Sequence, residues 1–251
     1  MLANMFKKLW LFLAFALLCC SCCQTPAGHI KLNFSFVVDK DSLRLDTCMY
    51  QNAAGNFYEV NDVQFFISHV MLETTSGEVV EIADNQGIHY TDIRIPGTLT
   101  WDILDIVPAD EYKSISFVFG LEGEQNITGY FPNPLENNMS WPDILGGGYH
   151  YMKINGRWID GSGVRQPFNL HTGKIATDTG FADNTFTVTL PLEQFAVIHK
   201  ETAELTLQMN VNAWFTNPYF FDFNVFGGSI MQNREAQEVL RENGGDVFGV
   251  R

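Results

Sequence analysis

Beyond its N-terminus this chain of 251 residues has almost no cysteine: Cys19, Cys20, Cys22 and Cys23 sit together near the start, and only Cys48 follows. A disulfide framework is thereby excluded, and the roughly 220 residues after the cluster are enough to bury a core without one. Cys48 is left to pair with Cys23 or to remain a buried thiol, and the buried thiol is the expectation.

Positive charge is scarce as well. Fifteen Lys and Arg stand against 29 Asp and Glu, and two of the fifteen, Lys7 and Lys8, lie in the N-terminal segment, which has no acidic residue. The remainder is strongly acidic, which disfavours nucleic acid and anionic membrane surfaces as partners and leaves a mild attraction for cations. Familiar catalytic signatures are missing: there is no Gly-x-Ser-x-Gly elbow, no His-Glu-x-x-His, no phosphate loop and no Cys-x-x-Cys after the N-terminal cluster. Nothing in the sequence makes a case for an enzyme.

The N-terminus carries a clear instruction. Lys7 and Lys8 are followed by an apolar run over residues 9–18 and then by the cysteine cluster around Ser21. That order is a charged region, a short hydrophobic region and a small-residue processing zone. The run is far shorter than the roughly 20 residues a helix needs to cross a bilayer, so a permanent span is excluded. A cysteine directly behind such a segment resembles a lipobox, with Cys22 the preferred acylation site and Cys20 the alternative. Residues 1–22 therefore read as a lipoprotein signal peptide and attachment zone, and 29–251 as one exported domain. Gln24, Thr25 and Pro26 give no acidic surface-export signal, which favours an anchor facing the periplasm of a bacterial envelope.

The exported part alternates with a period of two. Ile30, Leu32, Phe34, Phe36 and Val38 do so first, then Ile115, Phe117 and Phe119, Phe186, Val188 and Leu190, and Leu205, Leu207 and Met209. Further strands are expected at 63–72, 78–83, 88–95, 148–158 and 167–171, separated by turns such as Asn155-Gly156 and Asp160-Gly161-Ser162-Gly163. The fold class is all-β, an antiparallel β-sandwich, because stacked sheets bury such faces most simply. Two helices are expected: a short one over 99–106, with Leu99, Ile103 and Ile106 on one face, and a C-terminal one. The second is capped from Ser229, runs over 234–240 and stops at Asn243-Gly244-Gly245.

Chemistry concentrates in residues 133–173. Trp141 precedes Pro142, Gly146-Gly147-Gly148 permits positive φ, and His150 and His171 fall on consecutive expected strands. If those strands pair, the two imidazoles approach each other. His29, His69 and His199 have no such context.

With these residues in place the chain resembles the copper-binding MbnP-like family of envelope proteins, related to methanotroph surface proteins that carry an oxidised tryptophan. The markers are Phe65-Phe66-Ile67-Ser68 with Leu72, Ile88-His89-Tyr90-Thr91-Asp92, Met139-Ser140-Trp141 with Gly148-Tyr149, Phe168-Asn169-Leu170-His171-Thr172-Gly173 and the segment from Asn243 to Phe248. The resemblance implies a sandwich that binds copper through imidazoles, helped in some members by a tryptophan converted to kynurenine, whose opened ring offers an amine and a carbonyl. It assigns His89, His171 and Trp141 to the metal, with His150 as a fourth. The chain departs from the family at Asp143, where a second tryptophan is frequent, and at Met231-Gln232, where a Met-His pair is common.

The expected function is metal capture, storage or delivery at the envelope, with copper as the ion and a modified Trp141 beside it. A different class of function is a glycan- or nutrient-binding lipoprotein, with Trp101, Trp158, Trp214 and Tyr219-Phe220-Phe221 as an aromatic platform. A third is a structural partner within an envelope complex.

Overall fold

A computed structural model describes residues 25–251; residues 1–24, with the signal segment and the acylation expected at Cys22 or Cys20, lie outside the described residues. In chain order the strands are β1 (Ala27–Val38), β2 (Asp41–Ser42), β3 (Tyr50–Gln51), β4 (Phe57–Thr74), β5 (Val79–Glu81), β6 (His89–Asp92), β7 (Thr100–Pro108) and β8 (Glu111–Phe119). They continue as β9 (Met152–Ile159), β10 (Arg165–Thr172), β11 (Ile175–Thr177), β12 (Gly180–Ala182), β13 (Phe186–Ala196), β14 (Thr202–Asn210) and β15 (Phe248–Val250). Helix α1 (Phe223–Phe226) and the longer α2 (Arg234–Asn243) stand before the last strand.

Two sheets form the sandwich. One has the order β15-β14-β1-β2 with β7 also on β1; the other has the order β10-β9-β4-β8-β13 with β3, β5 and β6 also on β4. Pairing is antiparallel throughout the larger sheet, and the smaller sheet contains one parallel pair, β1 with β14, which sets Leu32 opposite Leu205. The alternation read from the sequence is what the fold uses. Ile30, Leu32, Phe65, Ile67, Ile154, Leu170, Leu207 and Met209 all enter the core between the sheets. Each such side chain stabilises the fold by about 1.5–3 kcal/mol on burial.

Three local expectations are corrected. Residues 99–106 form no helix but most of β7: Trp101, Ile103 and Val107 point inward, while Leu104 and Ile106 are exposed. Spacings of three and four fit a short apolar run as readily as spacings of two, and the free side of β1 decided the outcome. The C-terminal helix is capped by Asn233, whose side chain accepts from the Ala236 amide at 3.1 Å, rather than by Ser229. Cys48 is exposed rather than buried, and Cys23, its alternative partner, lies outside the described residues.

Strand β4 organises the functional region. Val63, Phe65 and Ile67 face the sandwich core, so Asp62, Gln64, Phe66 and Ser68 lie on the opposite face. The connection between β8 and β9 folds over that outer face. Phe66 packs there with Ile88, Tyr90, Leu121, Met139 and Tyr149 in a second, smaller core. A polar stripe of the sheet is thereby drawn under a covering loop.

Candidate metal centre

The covering loop turns back on itself just before β9. Ser140 bridges Tyr149, and the Trp141 amide donates to the Gly148 carbonyl at 2.8 Å. The reversal runs through Gly146, Gly147 and Gly148 at φ of 102°, 62° and 87°, a region that side chains with a Cβ rarely enter. Its effect is to bring the Met139 carbonyl onto His150.

That carbonyl accepts twice from His150, from its backbone amide at 2.6 Å and from its ring Nδ1 at 2.9 Å. A carbonyl only accepts, so Nδ1 carries the ring proton and Nε2 keeps a lone pair. Nε2 is buried and has no hydrogen-bond partner. Burial pushes the imidazole down to about 3, reinforced by the Lys153 ammonium and opposed by the backbone of Met139 and Ser140.

His171 is the neighbour. Antiparallel pairing of β9 and β10 puts it opposite Lys153, and its ring meets that of His150 nearly at right angles with centroids 5.0 Å apart. Its Nε2 lies 2.8 Å from Asn155 Oδ1, an acceptor, which leaves the Nδ1 lone pair uncommitted. Burial, then Lys153, lowers this imidazole to about 4. Trp141 closes the cluster: its ring stands edge-on to His150 at 4.8 Å, is almost fully buried, and donates Nε1–H to the Leu145 carbonyl at 2.9 Å.

His89 does not join them. It pairs with Ile67 across β6 and β4 and so points into the sandwich core, whereas His171 shares the outer face with Lys153 and Gln64. Its ring is stacked between Phe34 and Trp101, at 4.7 and 5.1 Å, and its Nε2 bonds the Thr98 carbonyl at 2.8 Å. Alternation along a strand separates the two histidines to opposite faces of one sheet. The structure thus unites Trp141, His150 and His171 and sets His89 apart as a core residue.

The donor set is spare. Among the described residues no group of three or more His, Cys, Asp or Glu is placed to hold a metal ion. Two neutral imidazoles with free lone pairs do fit an ion that accepts few nitrogen ligands, and imidazole suits copper. Sequence reading missed Lys153 and expected a turn at Asn155-Gly156, whereas that pair continues β9 and puts Asn155 on its outer face with Lys153; the signal was polar alternation with Ile154. The aromatic platform is likewise absent. Trp101, Trp158 and Trp214 are all buried, as is Phe221, because large rings fill the core; only Tyr219 and Phe220 are exposed.

Comparison with known proteins agrees with this architecture. The MbnP family model matches residues 27–232, leaving the segment from Asn243 to Phe248 outside the match. The solved structure of MbnP from Methylosinus trichosporium superposes with a TM-score of 0.57 at 13% identity, covering 89% of this chain and 98% of that one, a likeness of fold. No curated protein matches the sequence. On the span of the family match, the chain belongs to the MbnP family.

Proposed function

We propose that this chain is an envelope-anchored copper-binding lipoprotein that captures, stores or delivers the ion, a binding protein rather than an enzyme. His150 and His171 hold the copper and Trp141 walls the pocket. The observation that supports this most is the buried, partnerless Nε2 of His150 beside a second imidazole. A buried polar atom left alone costs about 1–3 kcal/mol, and an ion at that nitrogen would offset the cost. The family resemblance points the same way.

In this reading Cys22 or Cys20 carries the acyl anchor, a few residues ahead of Ala27 where β1 begins, and the domain faces the periplasm. Trp141 is the residue that an external oxidant would convert to kynurenine, losing one carbon and gaining one oxygen next to His150.

Elemental analysis of the purified protein after copper loading and desalting tests the proposal. Equimolar copper is expected, lost in His150→Ala and His171→Ala and kept in His69→Ala. Absence of copper from the wild type, or equal retention in all three variants, overturns it. Intact mass reads the state of Trp141.

A further inference from the structure

Lys153 is the cationic group whose charge acts on both imidazoles. It is the direct cross-strand neighbour of His171, and its Nζ donates to the Asn138 carbonyl at 2.7 Å. The next carbonyl along, that of Met139, is the one that holds the His150 ring. Adjacent carbonyls therefore fix the ammonium and one imidazole, while strand pairing fixes the ammonium beside the other. Asp62 is the acidic group that acts on it. Asp62 gives one carboxylate oxygen to the Gln64 amide at 2.5 Å, its other oxygen is buried without a partner, and no salt bridge reaches Lys153 among the described residues. Burial pushes the Lys153 ammonium down and Asp62 pushes it back up, while the ammonium in turn depresses both imidazoles.

We infer that Lys153 is a charge filter, which admits copper as the monovalent Cu(I) and disfavours Cu(II) and other divalent ions at the His150 and His171 pair. The inference rests on the proposed metal site. Coulomb repulsion scales with the charge of the incoming ion, so a fixed ammonium penalises a divalent ion twice as much as a monovalent one. The ligand set agrees: two neutral imidazoles with no carboxylate or thiolate satisfy an ion content with few ligands, and leave a divalent ion undercoordinated. No electron transfer is required, since the selected ion arrives already reduced.

The test measures Cu(I) and Cu(II) affinities separately by competition with chromophoric chelators, anaerobically for Cu(I), on the wild type, Lys153→Met and Lys153→Arg. Lys153→Met should bind both ions more tightly, with the gain for Cu(II) about the square of that for Cu(I). A relative gain of roughly tenfold would lower the one-electron potential of the bound couple by about 59 mV. Lys153→Arg, which keeps the charge, should leave the ratio near that of the wild type. If Lys153 only ties down the loop at Asn138, its loss weakens both ions equally and the ratio stays put, which overturns the inference while the metal site survives. Should Lys153→Met fail to fold, Lys153→Gln, which can still donate to the Asn138 carbonyl, carries the same prediction. A wild type that binds neither ion removes the proposed function itself.

Discussion

Gly173 presents only hydrogen to the indole of Trp141. A Cβ at that position would lie 2.6 Å from the ring, against the flat of its fused atoms. The Gly173 amide is held at the same time by the Gln237 side chain of α2 at 3.2 Å, so the glycine cannot simply withdraw.

Gly173→Ala should therefore displace the indole and the His150 ring packed on it. Overpacking of this kind typically costs 1–3 kcal/mol, here expected as a lower denaturant midpoint with an unchanged slope. Copper affinity should fall with it. An alanine variant with wild-type stability and affinity would show that the ring is free to move.

Acid should loosen the fold over a defined window. His150 is held down to about 3, and His89 and His171 to about 4, against 6.5 for the free side chain. The unfolded chain binds protons at these groups first, so stability rises with pH across the interval. Their contribution is complete above about pH 6.5, declines as pH falls toward 4, and levels off below the folded values. Melting temperatures taken from neutral pH downward should show this fall, with a shallower slope in His150→Gln. Metal affinity should stay nearly flat between about pH 7 and 5, since protons compete for the two nitrogens only near their depressed values.

His89 serves as an internal control. In His89→Phe the new ring keeps the stack between Phe34 and Trp101 but leaves the Thr98 carbonyl without its ring donor. A loss of about 1 kcal/mol in stability is expected, with copper stoichiometry intact. Loss of copper with retained fold would return His89 to the site.

Much of this is legible in the sequence. The two-residue alternation from Ile30 to Val38 and in later segments marks the inner faces of a sandwich, because one buried face per strand leaves that imprint. His150, His171 and Trp141 stood out through their glycine-rich surroundings, and the structure brings those three together. Two things stayed hidden. The face on which a histidine projects depends on register, and a one-residue difference places His89 in the core while its neighbour Tyr90 points outward. Lys153 gained its importance from pairing across β9 and β10 and from a carbonyl of a distant loop, neither of which local sequence encodes.

If His150 and His171 share one copper ion, X-ray absorption at the copper edge of the anaerobically loaded protein reads it without intermediary. Scattering from two imidazole rings per copper is predicted in the wild type, with the copper edge itself lost from desalted His150→Ala and His171→Ala. Spectra lacking imidazole scattering, or unaltered when both histidines are replaced, would contradict it.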